Sequence, residues 1–402
     1  MSVVSEQMRL DEIGKQKRGP LPGGSLSALQ IGAESFASNS GGLNRYYQEL
    51  LQHLPAVGVV CKGLVVGGNE QRRDGAIFTF ASKDAPLLQR WNSERAAINA
   101  ELAGAHFDLI VSHFALYAVP ALRKLSPALP LVVHFHGPWA AEAREEGEGR
   151  IGYLMKLLVE RRVYRRANRL IVLSEAFAGI ARRDFGIAPE LIRVIPGGIN
   201  CDRFEINESR ATARAKLGWP ADRPIVLAVR RLVRRVGLEN LIDAMVEVRR
   251  RAADVLLMIA GTGPMRQALE SRIAERGLCS HVRLVGFVPD ADLPRAYRAA
   301  DVSVVPSVAL EGFGLTAGES LASGTPVLVT PVGGLPEVVG GLGGSLVFPG
   351  IDSMAMATTL AERLRQPDQL PDADTCRRYV RQHFDWSIIA RQVRAVYQEA
   401  PS

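Results

Sequence analysis

Residues 304–339 read VVPSVALEGFGLTAGESLASGTPVLVTPVGGLPEVV, and the order of elements they predict decides the fold. Asp301 to Pro306 is an apolar, β-branched run that predicts a buried strand. A short polar loop leads to Glu311, a helix is predicted from Leu315 to Ser323, and Pro326 to Thr330 predicts a second strand before the double glycine Gly333-Gly334. Strand, glycine-bearing turn, helix and strand again is the grammar of an open parallel sheet, whose ligands sit beyond the carboxyl ends of the strands.

Two carboxylates in this stretch bear chemistry. Glu311 stands at the loop-to-helix boundary beside Gly312, Phe313 and Gly314, and Glu319 lies inside the helix. The first N–H groups of a helix have no intrahelical acceptor, so the amides of Gly314, Leu315 and Thr316 favour an anion such as a phosphate. Glu311 is then placed to take sugar hydroxyls, and Glu319, about two turns along, to reach a ribose. An isolated pair of glutamates at this spacing more often means one cap and one solvated helix residue. The words around them reverse that preference.

Those words, EGFGLTAGESLASGTPVLVT and VGGLPE, closely resemble the retaining, nucleotide-sugar-dependent glycosyltransferases of family GT4, and the resemblance runs from about Ser25 through nearly the whole chain. It implies an α/β protein with the GT-B fold: two facing Rossmann-like domains and a C-terminal helix crossing back to the first domain. It also implies that Glu311 looks toward the transferred sugar, that Glu319 binds the nucleotide ribose, and that backbone amides at Phe313, Gly314 and Leu315 hold the distal phosphate. Residues 1–24 are then expected to be a flexible lead-in, 25–200 the acceptor-binding domain, 201–378 the donor-binding domain and 379–402 the crossover helix.

In the first half, Ser25 to Ile31 predicts a strand, and Gly41-Gly42 a tight turn into a helix with an apolar face of Leu43, Tyr46, Tyr47, Leu50, Leu51 and Leu54. Asn39 or Ser40 reads as an ordinary turn residue, while the resemblance puts Gly41 and Gly42 at the mouth of the cleft. Two further strands end in His113 and in His134 and His136. His134 and His136 share a face if their strand persists, but no acidic or cysteine partner stands at a ligand spacing, so no metal is expected. The resemblance ranks His136, followed by Gly137, above the other two, as the histidine facing the donor sugar.

The stretch 151–170, IGYLMKLLVERRVYRRANRL, predicts an amphipathic helix with apolar Ile151, Leu154, Leu157, Leu158, Val163 and Leu170 and a strongly basic side. Every doubly wound domain needs helices packed on its sheet. The same composition also suits peripheral contact with an anionic membrane.

The second half holds VRRLVRRVG, residues 229–237. The resembled family commonly shows G-R-L-x-x-x-K-G here, its arginine and lysine clamping the donor diphosphate. Arg231 matches that arginine and Gly237 the glycine, but Val236 occupies the lysine position. Arg234 or Arg235 can supply a planar, permanently charged fork instead, and Arg235 is taken as the candidate. Gly286-Phe287-Val288 resembles the place where backbone groups bind the nucleobase, which brings in Val288.

Composition narrows the function further. The 402 residues carry a net charge of +7 and four scattered cysteines, Cys61, Cys201, Cys279 and Cys376, with no C-x-x-C pair. That pattern suits a reducing compartment and single buried thiols. The basic balance suits an anionic partner such as a nucleotide diphosphate without singling out nucleic acid, which is not expected. No signal-peptide pattern and no membrane-spanning run is evident, so a cytoplasmic protein is expected, with contact at the inner membrane face left open, as a monomer or weak homodimer. A nicotinamide dehydrogenase would need the G-x-G-x-x-G fingerprint, which is missing. The expected activity is retaining transfer of a hexose from a nucleotide-sugar donor, UDP-glucose foremost, to a hydroxyl of a glycan, lipid-linked or small-molecule acceptor, with no resident cofactor. An epimerase or synthase of the same fold, and a donor-binding but inactive scaffold, are the alternatives.

Overall fold

A computed structural model describes residues 24–36, 41–68, 72–126, 128–252, 254–343 and 346–400. Nearly all of the expected lead-in, and the turn residues Asn39 and Ser40, lie outside them. Two sheets organise the chain. The first is eight-stranded, in the order β3-β4-β2-β1-β5-β6-β7-β8, with β1 Leu26–Glu34, β2 Val59–Gly67, β3 Arg72–Asp74, β4 Ile77–Ser82, β5 Leu109–Ser112, β6 Leu131–Phe135, β7 Arg169–Val172 and β8 Ile192–Val194. Its pairings are parallel except for β3, which runs antiparallel to β4 at the edge. The second is five-stranded and parallel, in the order β11-β10-β9-β12-β13, with β9 Ile225–Val229, β10 Leu256–Ala260, β11 Val282–Gly286, β12 Val302–Val305 and β13 Val327–Val329.

Strand side chains alternate between faces, and both faces of the first sheet are buried, as parallel sheets require. Leu29, Ile31, Ile110, Leu131 and Val133 enter one apolar cluster, and Ala28, Leu109, Val111 and Val132 the other. The second cluster is completed from the far end of the chain. The helix Trp386–Glu399 lays Trp386, Ile389, Val393, Val396 and Tyr397 against Tyr46, Tyr47, Leu50 and Leu51 of the helix Gly42–His53. Fully burying one such side chain contributes about 1.5–3 kcal/mol, so this helix is a structural layer of the first domain although it follows the second in sequence.

The two places where the chain passes between domains lie side by side. Ile199 N–H donates to the Phe384 carbonyl at 2.7 Å, and Ile199 pairs in parallel with Asp385. Asp385 then caps the terminal helix by accepting from Ser387 N–H at 2.9 Å. Gly198 is needed here because a Cβ on it would collide with the Trp386 indole. The polar stretch after this crossing contains two short helices, Cys201–Phe204 and Arg210–Leu217.

The basic segment also differs from its expectation. The helix spans Arg150–Tyr164, and Leu170 belongs to β7. Val163 is buried, but Ile151, Leu154, Met155 and Leu158 are exposed. Among the described residues no helix is long and apolar enough to cross a membrane. Three of the four cysteines are buried thiols as expected, and Cys279 is exposed instead, just beyond the helix Arg266–Glu275.

Candidate active site

The loop after β12 and the helix Leu315–Ala322 form the floor of the cleft. Gly314 caps this helix at φ +86°, and Gly312, Phe313 and Gly314 lead into its open amide end. Phe313 itself is 3% exposed and packs edge-on against Phe384, so only its backbone faces the cleft. Leu310, directly before Glu311, has φ +50°, the one described non-glycine residue in the left-handed region. Such strain persists only where neighbours over-determine it. Arg235 donates to the Leu310 carbonyl at 3.2 Å, and Val308 N–H donates to the Arg235 carbonyl at 2.9 Å. From the other side Gly334 N–H donates to the Glu311 carbonyl at 3.0 Å, and Gly333, at φ +56°, passes where a Cβ would strike that oxygen.

The two glutamates differ in electrostatic setting. Burial would push the Glu311 carboxyl up, but Arg230, Ser307 and Arg235 together hold it below the ordinary carboxylate range. Arg230 pairs with it directly and Ser307 Oγ donates at 2.7 Å. Glu319 is 4% exposed. Burial raises its pKa, against the pull of Arg45, whose Nε lies 3.7 Å away, and of Tyr297, which donates at 3.0 Å.

Arg45 comes from the first domain, four residues after Gly41, the residue that caps the helix Gly42–His53. It forks onto Asp290 at 3.0 and 2.5 Å, two residues beyond the half-buried Val288. Gly42 faces Leu315 across the cleft, with 3.6 Å between its Cβ direction and Leu315 Cδ1. Glu142 and Glu146, in and just after the helix Trp139–Glu145, reach Arg235 at 3.8 and 3.7 Å. Burial raises the Glu142 pKa against the pull of Arg235. These carboxylates lie in the acidic stretch AEAREEGEG, residues 141–149, where the sequence alone carries no motif to single them out.

His136 lies one residue past β6, so the strand does not reach it, yet three histidines still converge. Their ligand-capable nitrogens lie within 4.8 Å of one another because His113, from the end of β5, joins His134 and His136. The hydrogen bonds define a tautomer chain. Gln30 Oε1 accepts from His113 Nε2 at 2.9 Å, leaving His113 Nδ1 to accept from His136 Nε2 at 3.2 Å. Gln30 Nε2 donates to Tyr397 Oη at 3.2 Å, Tyr397 donates to His134 Nε2 at 3.0 Å, and His134 Nδ1 donates to Tyr46 Oη at 3.2 Å. Burial pushes all three pKa values down, His136 to about 3. A metal at this cluster would have to displace protein partners already in place. The arrangement is a neutral hydrogen-bonded network whose accepting nitrogen at the cleft end is His136 Nδ1.

The cleft thus brings together Glu311, Glu319, Leu315, Gly42 and the carboxylates beside Arg235. Arg231 is exposed on the cleft side, where its charge reaches Glu142, and Val236 is buried in the core of the second domain. Sequence reading did not find Arg230, Arg45 or Glu142. Their partners lie far away along the chain, and only the charge and the glycine-led helix start were there to signal them.

Comparison with known proteins agrees with this architecture. The family model described as Glycosyltransferase Family 4 matches residues 40–203, and the one described as Glycosyl transferases group 1 matches residues 209–383. A D-inositol 3-phosphate glycosyltransferase of Thermobispora bispora is 34% identical over 308 residues, 73% of this chain and 71% of that protein. A 2-deoxystreptamine glucosyltransferase of Streptomyces kanamyceticus is 30% identical over 284 residues, 70% of each. The structure of sucrose-phosphate synthase from Thermosynechococcus elongatus superposes with a TM-score of 0.77 at 27% identity, covering 93% of this chain and 98% of that one. With two parallel sheets, a helix returning to the first and a floor of carboxylates around a helix N-terminus, the chain belongs to the GT-B glycosyltransferases of these families, enzymes that transfer a sugar from a nucleotide-sugar donor to an acceptor hydroxyl.

Proposed function

We propose that the cleft moves a hexose, glucose from UDP-glucose in the first instance, to an acceptor hydroxyl with the anomeric configuration retained. The observation that carries this reading is the pairing of Glu311 and Glu319 about the open amide end of one helix, each held by its own hydrogen-bond donors. Glu311 takes hydroxyls of the donor sugar, amides of Phe313, Gly314 and Leu315 take the distal phosphate, Glu319 takes the ribose, and backbone at Val288 takes the base. Gly41 and Gly42 let the opposite wall approach the donor, and His136 Nδ1 accepts from a sugar hydroxyl. Glucose is favoured by the relative named for glucosyl transfer.

In the reaction the bond from the anomeric carbon to the phosphate oxygen breaks and a bond to the acceptor oxygen forms on the same face. The acceptor proton passes to the departing diphosphate. Negative charge grows on that diphosphate, so fixed amide dipoles and Arg231 act where charge develops. Closure of the cleft excludes water that would otherwise hydrolyse the donor.

The acceptor is best read as lipid-linked, with the enzyme resting on the cytoplasmic face of an anionic membrane. Ile151, Leu154, Met155 and Leu158 are 81%, 45%, 60% and 61% exposed on one side of the helix Arg150–Tyr164. Arg150, Arg162, Arg165 and Arg166 surround them, exposed. The nearby acids Glu146 and Glu148 pair with Arg235 and Lys156, which leaves the surface basic. An apolar stripe rimmed by arginine complements anionic headgroups over acyl chains.

The test is titration of the purified chain with UDP-, GDP- and ADP-linked glucose and mannose without added metal, followed by proton NMR of the product from the donor that binds. Binding of UDP-glucose and an α-linked product support the reading. A β-linked product, or preference for another nucleotide, overturns the retaining or the UDP-glucose assignment respectively.

A further inference from the structure

The cation facing the helix N-terminus is Arg230. Four arginines stand in residues 230–235, and the structure separates them. Arg231 and Arg234 are exposed. Arg235 donates to the Leu310 carbonyl and reaches Glu142 and Glu146, so its charge is committed to holding the strained loop and the opposite wall. Val236 is 2% exposed among apolar side chains and contributes no charge. Arg230 is the most deeply buried of the four. Its side chain is 9% exposed, and its guanidinium pairs with Glu311, donates to Ser307 Oγ at 2.9 Å and reaches Thr316 Oγ1 at 3.2 Å. Thr316 lies in the first turn of the helix Leu315–Ala322, so the guanidinium sits at that helix's positive end.

Two observations say that this place is built for an anion. The first helical N–H groups have no intrahelical acceptor, and Arg230 Nε is buried without a hydrogen-bond partner. A buried guanidinium held at that amide end by Thr316, with an N–H to spare as Arg235 also has, suits a group with several charged oxygens. We propose that Arg230 is the second cation of the diphosphate site, supplying from the end of β9 the charge that position 236 lacks, and that its pair with Glu311 is a resting state which the donor exchanges. The diphosphate draws the guanidinium, and the freed Glu311 carboxylate turns to the sugar hydroxyls. This rests on the donor reading above.

Calorimetry of the full chain with UDP and with uridine isolates the diphosphate's contribution, and GDP/guanosine and ADP/adenosine pairs cover the other bases. The wild type should bind one nucleoside diphosphate well above its nucleoside. Losing a charge-assisted hydrogen bond changes affinity about 10- to 100-fold, and Arg230→Gly should lose that much for the diphosphate with nucleoside affinity unchanged. Arg230→Lys should keep part of it. Thermal melting of each variant confirms folding. Unchanged preference for the diphosphate in folded Arg230→Gly overturns the assignment while leaving the donor reading intact. If the wild type binds none of the diphosphates, the donor reading falls, and this proposal with it.

Discussion

The Glu337 carboxylate accepts hydrogen bonds from the backbone N–H groups of Glu175 at 3.0 Å and Ala176 at 3.2 Å. Glu337 stands in the second domain, and the two amides open the helix Glu175–Phe185 of the first. A side chain of one domain therefore completes the N-terminus of a helix in the other, satisfying donors left without helical partners and favoured by the helix dipole. Ser174 completes the cap from within, accepting from Phe177 N–H at 3.3 Å.

Losing a helix cap costs about 0.5–2 kcal/mol, and here that loss falls on the closed arrangement of the domains. Glu337→Ala should therefore open the cleft, raising the radius of gyration by small-angle scattering and lowering kcat/KM several-fold, with little change in melting temperature. Glu337→Gln should keep part of the cap. Scattering and kinetics indistinguishable from wild type in Glu337→Ala would show that closure is held elsewhere, foremost by Arg45 of the first domain, which reaches Asp290 of the second.

Glu319 supports a prediction that separates ribose from phosphate. Glu319→Ala should weaken nucleoside diphosphate binding about 10- to 100-fold, the range for a hydrogen bond to a charged group. If the carboxylate meets a ribose hydroxyl, the 2′-deoxy nucleotide should already lack much of this and lose little more in the variant, a coupling that a double-mutant cycle reads directly. Tyr297→Phe removes only the 3.0 Å donor to Glu319, so it should weaken binding a few-fold. Equal losses for ribo- and deoxyribonucleotides would place Glu319 away from the 2′-hydroxyl.

The residues explain why part of this was legible in advance and part was not. The stretch from Val302 to Val329 carries its strands, glycines and helix start as local signals, so the donor-side floor could be read from it. Adjacent residues at a strand end point in opposite directions, and Arg230 and Arg231 differ in nothing but that, so only packing shows which turns inward. His113 joins the other histidines from a neighbouring strand. Arg45 with Asp290 and Glu337 with Glu175 join residues more than 150 positions apart, with no periodicity to connect them. The helix Arg150–Tyr164 has apolar residues on both sides, Val163 buried and Ile151 exposed, so its pattern alone does not say which side meets the sheet.

The histidine network predicts how stability depends on pH. A free imidazole takes its proton near pH 6.5, whereas His136 in the fold does so only at about 3, because burial disfavours the charged ring. Between these values the unfolded chain binds more protons at this ring than the folded one, so the contribution of His136 to stability is complete above about pH 6.5 and falls as the solution is acidified. Each histidine so placed contributes a slope of up to about 1.4 kcal/mol per pH unit. Glu311, whose carboxyl is held below its ordinary range, adds loss of the same sign at the acid end. Buried carboxyls with raised pKa values, Glu160 at about 7 and Glu94, Glu142 and Glu319, act with the opposite sign over the same window, so the histidine contribution is read as a difference: between about pH 6.5 and pH 4 His134→Gln should lose less melting temperature than the wild type. Nitrogen-15 NMR at pH 6 should show the three rings neutral, and an imidazolium signal from any of them at that pH would refute the tautomer chain through Gln30.

The exposed stripe on the helix Arg150–Tyr164 makes the last prediction. Ile151, Leu154, Met155 and Leu158 lie within two turns on one side, and arginines at 162, 165 and 166 continue along the same helix and just beyond it. Inserting one such apolar side chain into the acyl boundary is worth up to about 1.5–3 kcal/mol, and each arginine near an anionic surface about 1 kcal/mol. The chain should therefore sediment with phosphatidylglycerol vesicles and far less with phosphatidylcholine vesicles. Ile151→Ser/Leu158→Ser should reduce that binding more than tenfold at every salt concentration. Glutamine at 162, 165 and 166 should reduce it mainly at low salt, since screening has already weakened the charge contribution at high salt. Because these residues lie away from the donor floor, UDP titrations should be unchanged in both variants, which separates lipid docking from misfolding. If the wild type ignores both vesicles and instead forms a concentration-dependent dimer that the serine variant abolishes, the stripe faces a second copy of the chain and the lipid reading fails.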